Sequence, residues 1–154
     1  MQHQIWHERR NLDGLEVEAG FGTSCSLAGS SAQRISLEAS LLHNAGFDDA
    51  RLGGNRDGWQ LAAGWQIALP RGLFSAQINH SRLLDGRGYS ALLEDNARRA
   101  VSRSSVLLQY RKTVNWLLNG TQLQINLYHQ DQQSNLDLFK TEDTSLEIGL
   151  SLRF

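Results

Sequence analysis

The sequence predicts an all-β protein: an antiparallel meander of about eight strands forming a transmembrane outer-membrane β-barrel, or the carboxyl-terminal part of a larger one. Three observations predict it. Apolar and polar residues alternate at period 2 along most of the chain, and the connections alternate between short and long. Each alternating stretch runs about 10–11 residues, which at ~3.3 Å per residue and ~45° tilt spans the roughly 25 Å apolar band of such a barrel. Soluble strands average nearer five or six residues. The 154 residues suit a single domain, 1–154.

In chain order, a weak first strand covers Gln4–Arg10. It would turn His3, Ile5, His7 and Arg9 toward lipid, where charge at the midplane costs about 2–4 kcal/mol, so it suits a fragment better than a complete eight-strand barrel. The second is clean: Leu15, Val17, Ala19, Phe21, Thr23, Cys25 and Leu27 oppose Glu16, Glu18, Gly20, Gly22, Ser24 and Ser26. Ile35, Leu37, Ala39 and Leu41 then oppose Arg34, Ser36, Glu38 and Ser40, and Trp59 through Leu69 alternates with Gln60, Ala62, Gly64, Gln66 and Ala68. Phe74, Ala76 and Ile78 oppose Ser75, Gln77 and Asn79; Val106, Leu108 and Tyr110 oppose Gln109 and Arg111; Leu123, Ile125 and Leu127 oppose Gln122, Gln124 and Asn126. The last strand alternates without a break, with Leu146, Ile148, Leu150, Leu152 and Phe154 against Ser145, Glu147, Gly149, Ser151 and Arg153. On a helical period those apolar residues scatter around the cylinder. Only Ser90–Val101 has tolerable helical composition, and it falls in an expected loop.

Short links are expected at Ala28–Ala32, Pro70–Gly72 and Asn115–Gly120, and long polar loops at His43–Gly58, Leu84–Ser102 and His129–Asp143. Short turns on one side and long loops on the other are how outer-membrane barrels are built, and the chain ends on the short side. Trp59, Trp116, Tyr128 and Phe154 fall near expected strand ends, where interfacial aromatics belong.

Composition narrows the partners. A formal net charge of -1 lacks the basic footprint of a nucleic-acid binder. A single cysteine, Cys25, excludes an internal disulfide framework and multi-cysteine metal sites, and reads as a small hydrophobe. Glycine is frequent, at 14, against one proline, which suits strands and tight turns. No apolar run approaches the roughly 18 residues of a membrane helix. No leader pattern is legible, so Met1 reads as opening a mature chain or a fragment. A soluble barrel is the competing reading, but it needs bulky inward side chains, whereas here the Leu-rich set is the apolar one and the polar set carries Gly20, Gly22, Gly64 and Gly149.

The final eight residues, Glu147 to Phe154, read polar, any, Gly, any, any, apolar, any, apolar, with an aromatic last. Glu147, Gly149, Leu152 and Phe154 match, and the segment resembles the β-signal through which the barrel-assembly machinery recognises outer-membrane substrates. Its physical basis is edge-strand pairing. Gln133–Phe154 is also similar to the close of the surface lipoprotein assembly modifier (Slam) family, where a Ser-Asn-(Ile/Leu)-x-Leu-(Tyr/Phe) segment, here Ser134 to Phe139, precedes the last strand. Related barrels follow tetratricopeptide repeats in exopolysaccharide-export porins. The likeness implies a transport module that helps surface lipoproteins or another passenger across the outer membrane of a Gram-negative bacterium. The sequence departs from the family in having no helical repeat and about half of the roughly fourteen strands expected of the full barrel. Two alternatives remain: a small closed barrel with a structural, adhesion or receptor role through its long loops, and an exopolysaccharide-export or general porin.

Glu16, Glu18, Arg34, Glu38, Arg111, Glu147 and Arg153 share the polar set and would line a lumen. In a wide pore they set selectivity; in eight closed strands they form an internal ion network, because no continuous channel remains. Arg87, Arg98, Arg99 and Arg103, interleaved with Asp85, Glu94 and Asp95, make Leu84–Ser102 a mixed-charge loop suited to solvent and to lipopolysaccharide phosphates. Expected partners are therefore outer-membrane lipid, lipopolysaccharide, the assembly machinery and a lipoprotein passenger, with no nucleic acid and no cofactor. His3, His7, His43, His80 and His129 do not space as a metal site; His3 and His7 would stand four residues apart on a strand. His129 with Ser134 and Asn135 lacks the one-residue separation that the His-x-Ser-Asn arrangement of lipid A deacylases needs, so no enzyme is expected.

Overall fold

The computed structural model describes residues 2–4, 14–27, 32–47, 51–114 and 121–152. They form a single antiparallel sheet in which each strand pairs with its neighbours in sequence. The strands are β1 (Gln2–Gln4), β2 (Gly14–Leu27), β3 (Gln33–Gly46), β4 (Arg56–Leu69), β5 (Gly72–Gly88), β6 (Arg98–Val114), β7 (Thr121–Ser134) and β8 (Thr141–Leu152). Seven are long, and β1 adds three residues against β2, with His3 opposite Leu15. Residues 5–10 of the expected first strand lie outside the described residues. Among the described residues the sheet is open: β8 pairs with β7 alone.

The register assigns the two faces. Ser36 lies opposite Gly64, Gly64 opposite Gln77, Gln77 opposite Leu107, Leu107 opposite Tyr128 and Tyr128 opposite Ser145. With a side-chain period of two, this row fixes one polar face across β3 to β8. The other face carries Phe21, Leu37, Leu41, Leu61, Trp65, Ile78, Leu127, Leu146, Ile148 and Leu150, all exposed, with Phe21 at 79% and Ile148 at 68%.

The apolar residues therefore do not gather into a core. Among the described residues only Val114 and Leu136 are buried hydrophobics. The accessible surface is 10820 Å², whereas a compact soluble protein of this mass exposes roughly 7,800 Å².

The strands exceed their expected length, at 12 to 17 residues for β2 to β8. His43–Gly46, Arg56–Gly58, Leu84–Gly88, Arg98–Ser102, His129–Ser134 and Thr141–Asp143 belong to ladders, not to loops. Backbone pairing needs no apolar side chain, so the strands run past the end of the apolar pattern. The described parts of the long loops shrink to 51–55, 89–97 and 135–140. The Pro70-Arg71 link is a tight turn between paired Leu69 and Gly72, with proline in the second turn position it favours. In place of a helix over Ser90–Val101 there is one 3-10 turn, Glu94–Asn96, whose three residues are all left-handed at φ 43, 54 and 61. Tyr128 sits in mid-strand on the polar face, so it is not an interfacial aromatic; its hydroxyl donates to Gln130 Oε1 at 2.7 Å. Trp116 and Phe154 lie outside the described residues.

Candidate functional site

The polar face is an amide-rich surface knitted by side-chain hydrogen bonds. Asn126 Oδ1 accepts from Gln109 Nε2 at 2.9 Å and from Gln124 Nε2 at 3.0 Å, while its own Nδ2 donates to Glu147 Oε2 at 3.3 Å. Strands β6 and β7 are thereby stitched to β8. Arg103 donates from Nε and Nη2 to Gln132 Oε1, at 3.0 and 2.6 Å. A hollow of about 250 Å³ crosses β3 to β6 on this side, lined by Arg34, Glu38, Gln66, Gln77 and Gln109.

Of the expected lining residues, Glu16, Glu18, Arg34, Glu38, Arg111 and Glu147 all hold register positions on this face. Arg34 and Glu38 share the hollow, and the others are spread along the face: Arg34 Nη2 reaches Ser24 Oγ at 3.0 Å, Glu16 accepts from Asn44 at 3.0 Å, and Arg111 Nε is buried without a partner. Of the terminal signal residues, Glu147, Gly149 and Leu152 lie on β8. Arg153 and Phe154 lie outside the described residues.

The densest chemistry sits where the polar face meets the long loops. Glu16, Asn44, Arg56 and Asp85 form one cross-strand row on β2 to β5, and Arg99 of β6 joins it beside the register shift after Leu84. Asp85 is 2% exposed. Arg99 Nε donates to Asp85 Oδ2 and Arg99 Nη2 to Oδ1, each at 3.1 Å, the forked geometry that suits guanidinium and carboxylate. Arg56 Nε approaches Oδ1 at 3.3 Å. Arg51, from the β3–β4 loop, is 4% exposed, and its Nε and Nη1 have no hydrogen-bond partner. Burial pushes the Arg51 guanidinium below its usual value, with Asp85 working in the opposite direction.

Glycines make this burial possible. A Cβ on Gly46 would stand 2.5 Å from Arg51 Cδ, and one on Gly53 would meet the Asp85 carboxylate; Gly53 is also left-handed at φ 75. The Arg51 carbonyl accepts from Arg87 Nη2 at 2.8 Å and from the Gly54 amide at 3.1 Å, which holds the loop down.

Arg99 is thus not the solvated loop cation expected from sequence. Its guanidinium carbon lies 4.6 Å from the ring centroids of both Tyr89 and Phe139, which themselves pack edge to face at 4.9 Å. Phe139 closes the Ser134–Phe139 segment, and the other residues of that segment also have structural tasks. Ser134 Oγ accepts from the Leu136 amide at 3.2 Å, Leu136 is buried, and Asn135 extends the β6 ladder. Its Oδ1 takes the Ala100 amide at 2.7 Å and its Nδ2 donates to the Arg98 carbonyl at 2.8 Å. The segment locks the β7–β8 loop onto the Arg99–Asp85 pair.

His43, His80 and His129 lie on the other face. His43 Nδ1 is 2.6 Å from Asp57 Oδ1, His80 Nδ1 is 2.8 Å from Ser104 Oγ and 5.3 Å ring to ring from Trp59, and His129 Nδ1 is 2.8 Å from Thr144 Oγ1. His129 and Ser134 point to opposite faces, five residues apart on one strand. Among the described residues no three His, Cys, Asp or Glu side chains converge as a metal site. Arg51, Arg56 and their convergence on Asp85 were not singled out from sequence. The available signal was a lone Asp85 in an arginine-rich chain with Gly53-Gly54 nearby in the facing loop. No family model matches the chain, and neither a curated protein nor a solved structure matches it.

Proposed function

We propose that this chain is a module of an outer-membrane β-barrel that assists translocation of a passenger, such as a surface lipoprotein in the manner of the Slam family. The observation that carries the reading is the division of the sheet: a continuous exposed apolar face opposite an amide and charge face, with almost no apolar core among the described residues. Such a sheet is unfavourable in water, where exposed apolar area of this extent marks an interface or a lipid contact. In a barrel wall the apolar face meets acyl chains and the polar face lines an enclosed axis. Helices do not supply the contact, for no described helix is long and apolar enough to cross a membrane. The outer edge of β8, which pairs with no strand other than β7 among the described residues, supports closure by further strands, which widens the lumen enough for a passenger.

Reconstitution tests this. The chain folded into lipid vesicles is expected to migrate in a heat-modifiable manner on a gel and to pass ionic current in a planar bilayer. A monomer that folds in plain buffer and passes no current would contradict the proposal.

A further inference from the structure

We propose that Arg51, Arg56 and Arg99 around Asp85 form a binding site for a phosphate group carried by a soluble or passenger molecule. The proposal goes beyond the barrel reading and stands on charge and hydrogen-bond geometry. Arg99 uses both oxygens of Asp85. Arg56 is left with a single ion-pair approach at 3.3 Å, and its Nε makes no hydrogen bond. Among the described residues Arg51 has no carboxylate within ion-pairing distance; Glu16, the other described carboxylate acting on it, is engaged by Asn44. Among the described residues, three guanidiniums stand against these two carboxylates, and the unpaired donors Arg51 Nε and Nη1 belong to a residue 4% exposed.

A buried guanidinium without an acceptor is unfavourable, and the cluster contains two with unused donors. An oxyanion removes the deficit. Phosphate suits it better than a carboxylate, because donors arrive from a loop and from β4 in different directions and three oxygens can meet them. Arg56, with its side chain 26% exposed, is the point of entry. The cluster lies on the polar face, away from the apolar residues, which favours a soluble or passenger-borne phosphate over a surrounding lipid headgroup.

The test is calorimetric titration of the full chain, in whichever medium (detergent or buffer) supports the sheet by circular dichroism, so that it is independent of the membrane reading. The titrants are inorganic phosphate, glucose 6-phosphate and vesicles containing phosphorylated lipid A, against sodium chloride at equal ionic strength. Saturable phosphate binding is expected, weakened roughly tenfold or more by Arg51→Gln and by Arg56→Gln, and unchanged by Arg71→Gln in the exposed turn at the other end of the sheet. Should Arg51→Gln not fold, the more exposed Arg56→Gln decides. A response to glucose 6-phosphate supports the soluble source, and one confined to the vesicles assigns a lipid source and contradicts the proposal. No saturable binding, or equal affinity in all three variants, would overturn the proposal.

Discussion

Arg99 and Asp85 form a forked pair, both contacts 3.1 Å long, beneath an edge-to-face pair of rings from two different loops. This pair is the keystone of the loop end of the sheet. Replacing Asp85 with Asn leaves three guanidiniums facing one another without their central anion. The expected cost is about 3–5 kcal/mol, the penalty for breaking one side of a buried ion pair. Equilibrium urea unfolding of Asp85→Asn measures it; a change below about 1 kcal/mol, the scale of a surface pair, would show that Asp85 is not buried as described.

Two glycines give a paired test of close approach. Gly53 is left-handed and its would-be Cβ collides with Asp85, whereas nothing lies within 4 Å of a Cβ on Gly149. Gly53→Ala is expected to destabilise by about 1–3 kcal/mol, and Gly149→Ala to remain within about 0.5 kcal/mol. Thermal melts of the two variants side by side read the difference, and equal effects would count against the packing of the Arg51 loop.

How much of this was legible in the sequence follows from which interactions are local. Alternation is local, and it sorted Leu37 from Glu38 and Ile148 from Glu147 onto the faces they occupy. Strand ends were not legible where both faces turn polar. Asp131 to Ser134 carry no apolar side chain, yet they pair with Val101 to Ser104 as regularly as the rest of β7. The Arg51 cluster was not legible because it depends on register. Glu16, Arg56, Asp85 and Arg99 meet only once four hairpins are aligned. Arg51, in a polar loop, shows no pattern that sets it apart from a solvated cation.

Leu37 is exposed in the middle of β3. On a lipid-facing wall, Leu37→Arg is expected to cost roughly 2–4 kcal/mol and to reduce the folded fraction in vesicles, read by heat-modifiable migration. Gln77→Arg, on the polar face, is expected to fold normally. If the wall faced water, both changes would stay within about 0.5 kcal/mol.

The β7–β8 loop carries a pH signature. The Lys140 ammonium donates to Asp137 Oδ1 at 2.6 Å, which holds the Asp137 carboxyl below its ordinary 3.8 and raises Lys140 above its ordinary 10.5. A lowered acid stabilises above its unfolded value and loses that contribution as pH falls through the lowered one. A raised base stabilises below its unfolded value and loses the contribution as pH climbs through the raised one. The turn Asp137–Phe139 is therefore expected to keep constant amide chemical shifts between about pH 5 and 9. Asp137→Asn should make the loop's shifts insensitive to acid; an unaltered acid titration in that variant would show that another group is responsible.

The most direct measurement compares two neighbouring positions on β4. In a variant keeping Trp65 as its only tryptophan, brominated acyl chains are expected to quench the emission strongly, since Trp65 shares the exposed face with Leu61. In a variant whose only tryptophan is introduced by Gln66→Trp, on the face that lines the hollow with Arg34 and Gln77, the same lipids should leave the emission nearly unchanged. Equal quenching at both positions, or stronger quenching at 66 than at 65, would contradict the assignment of the apolar face to lipid.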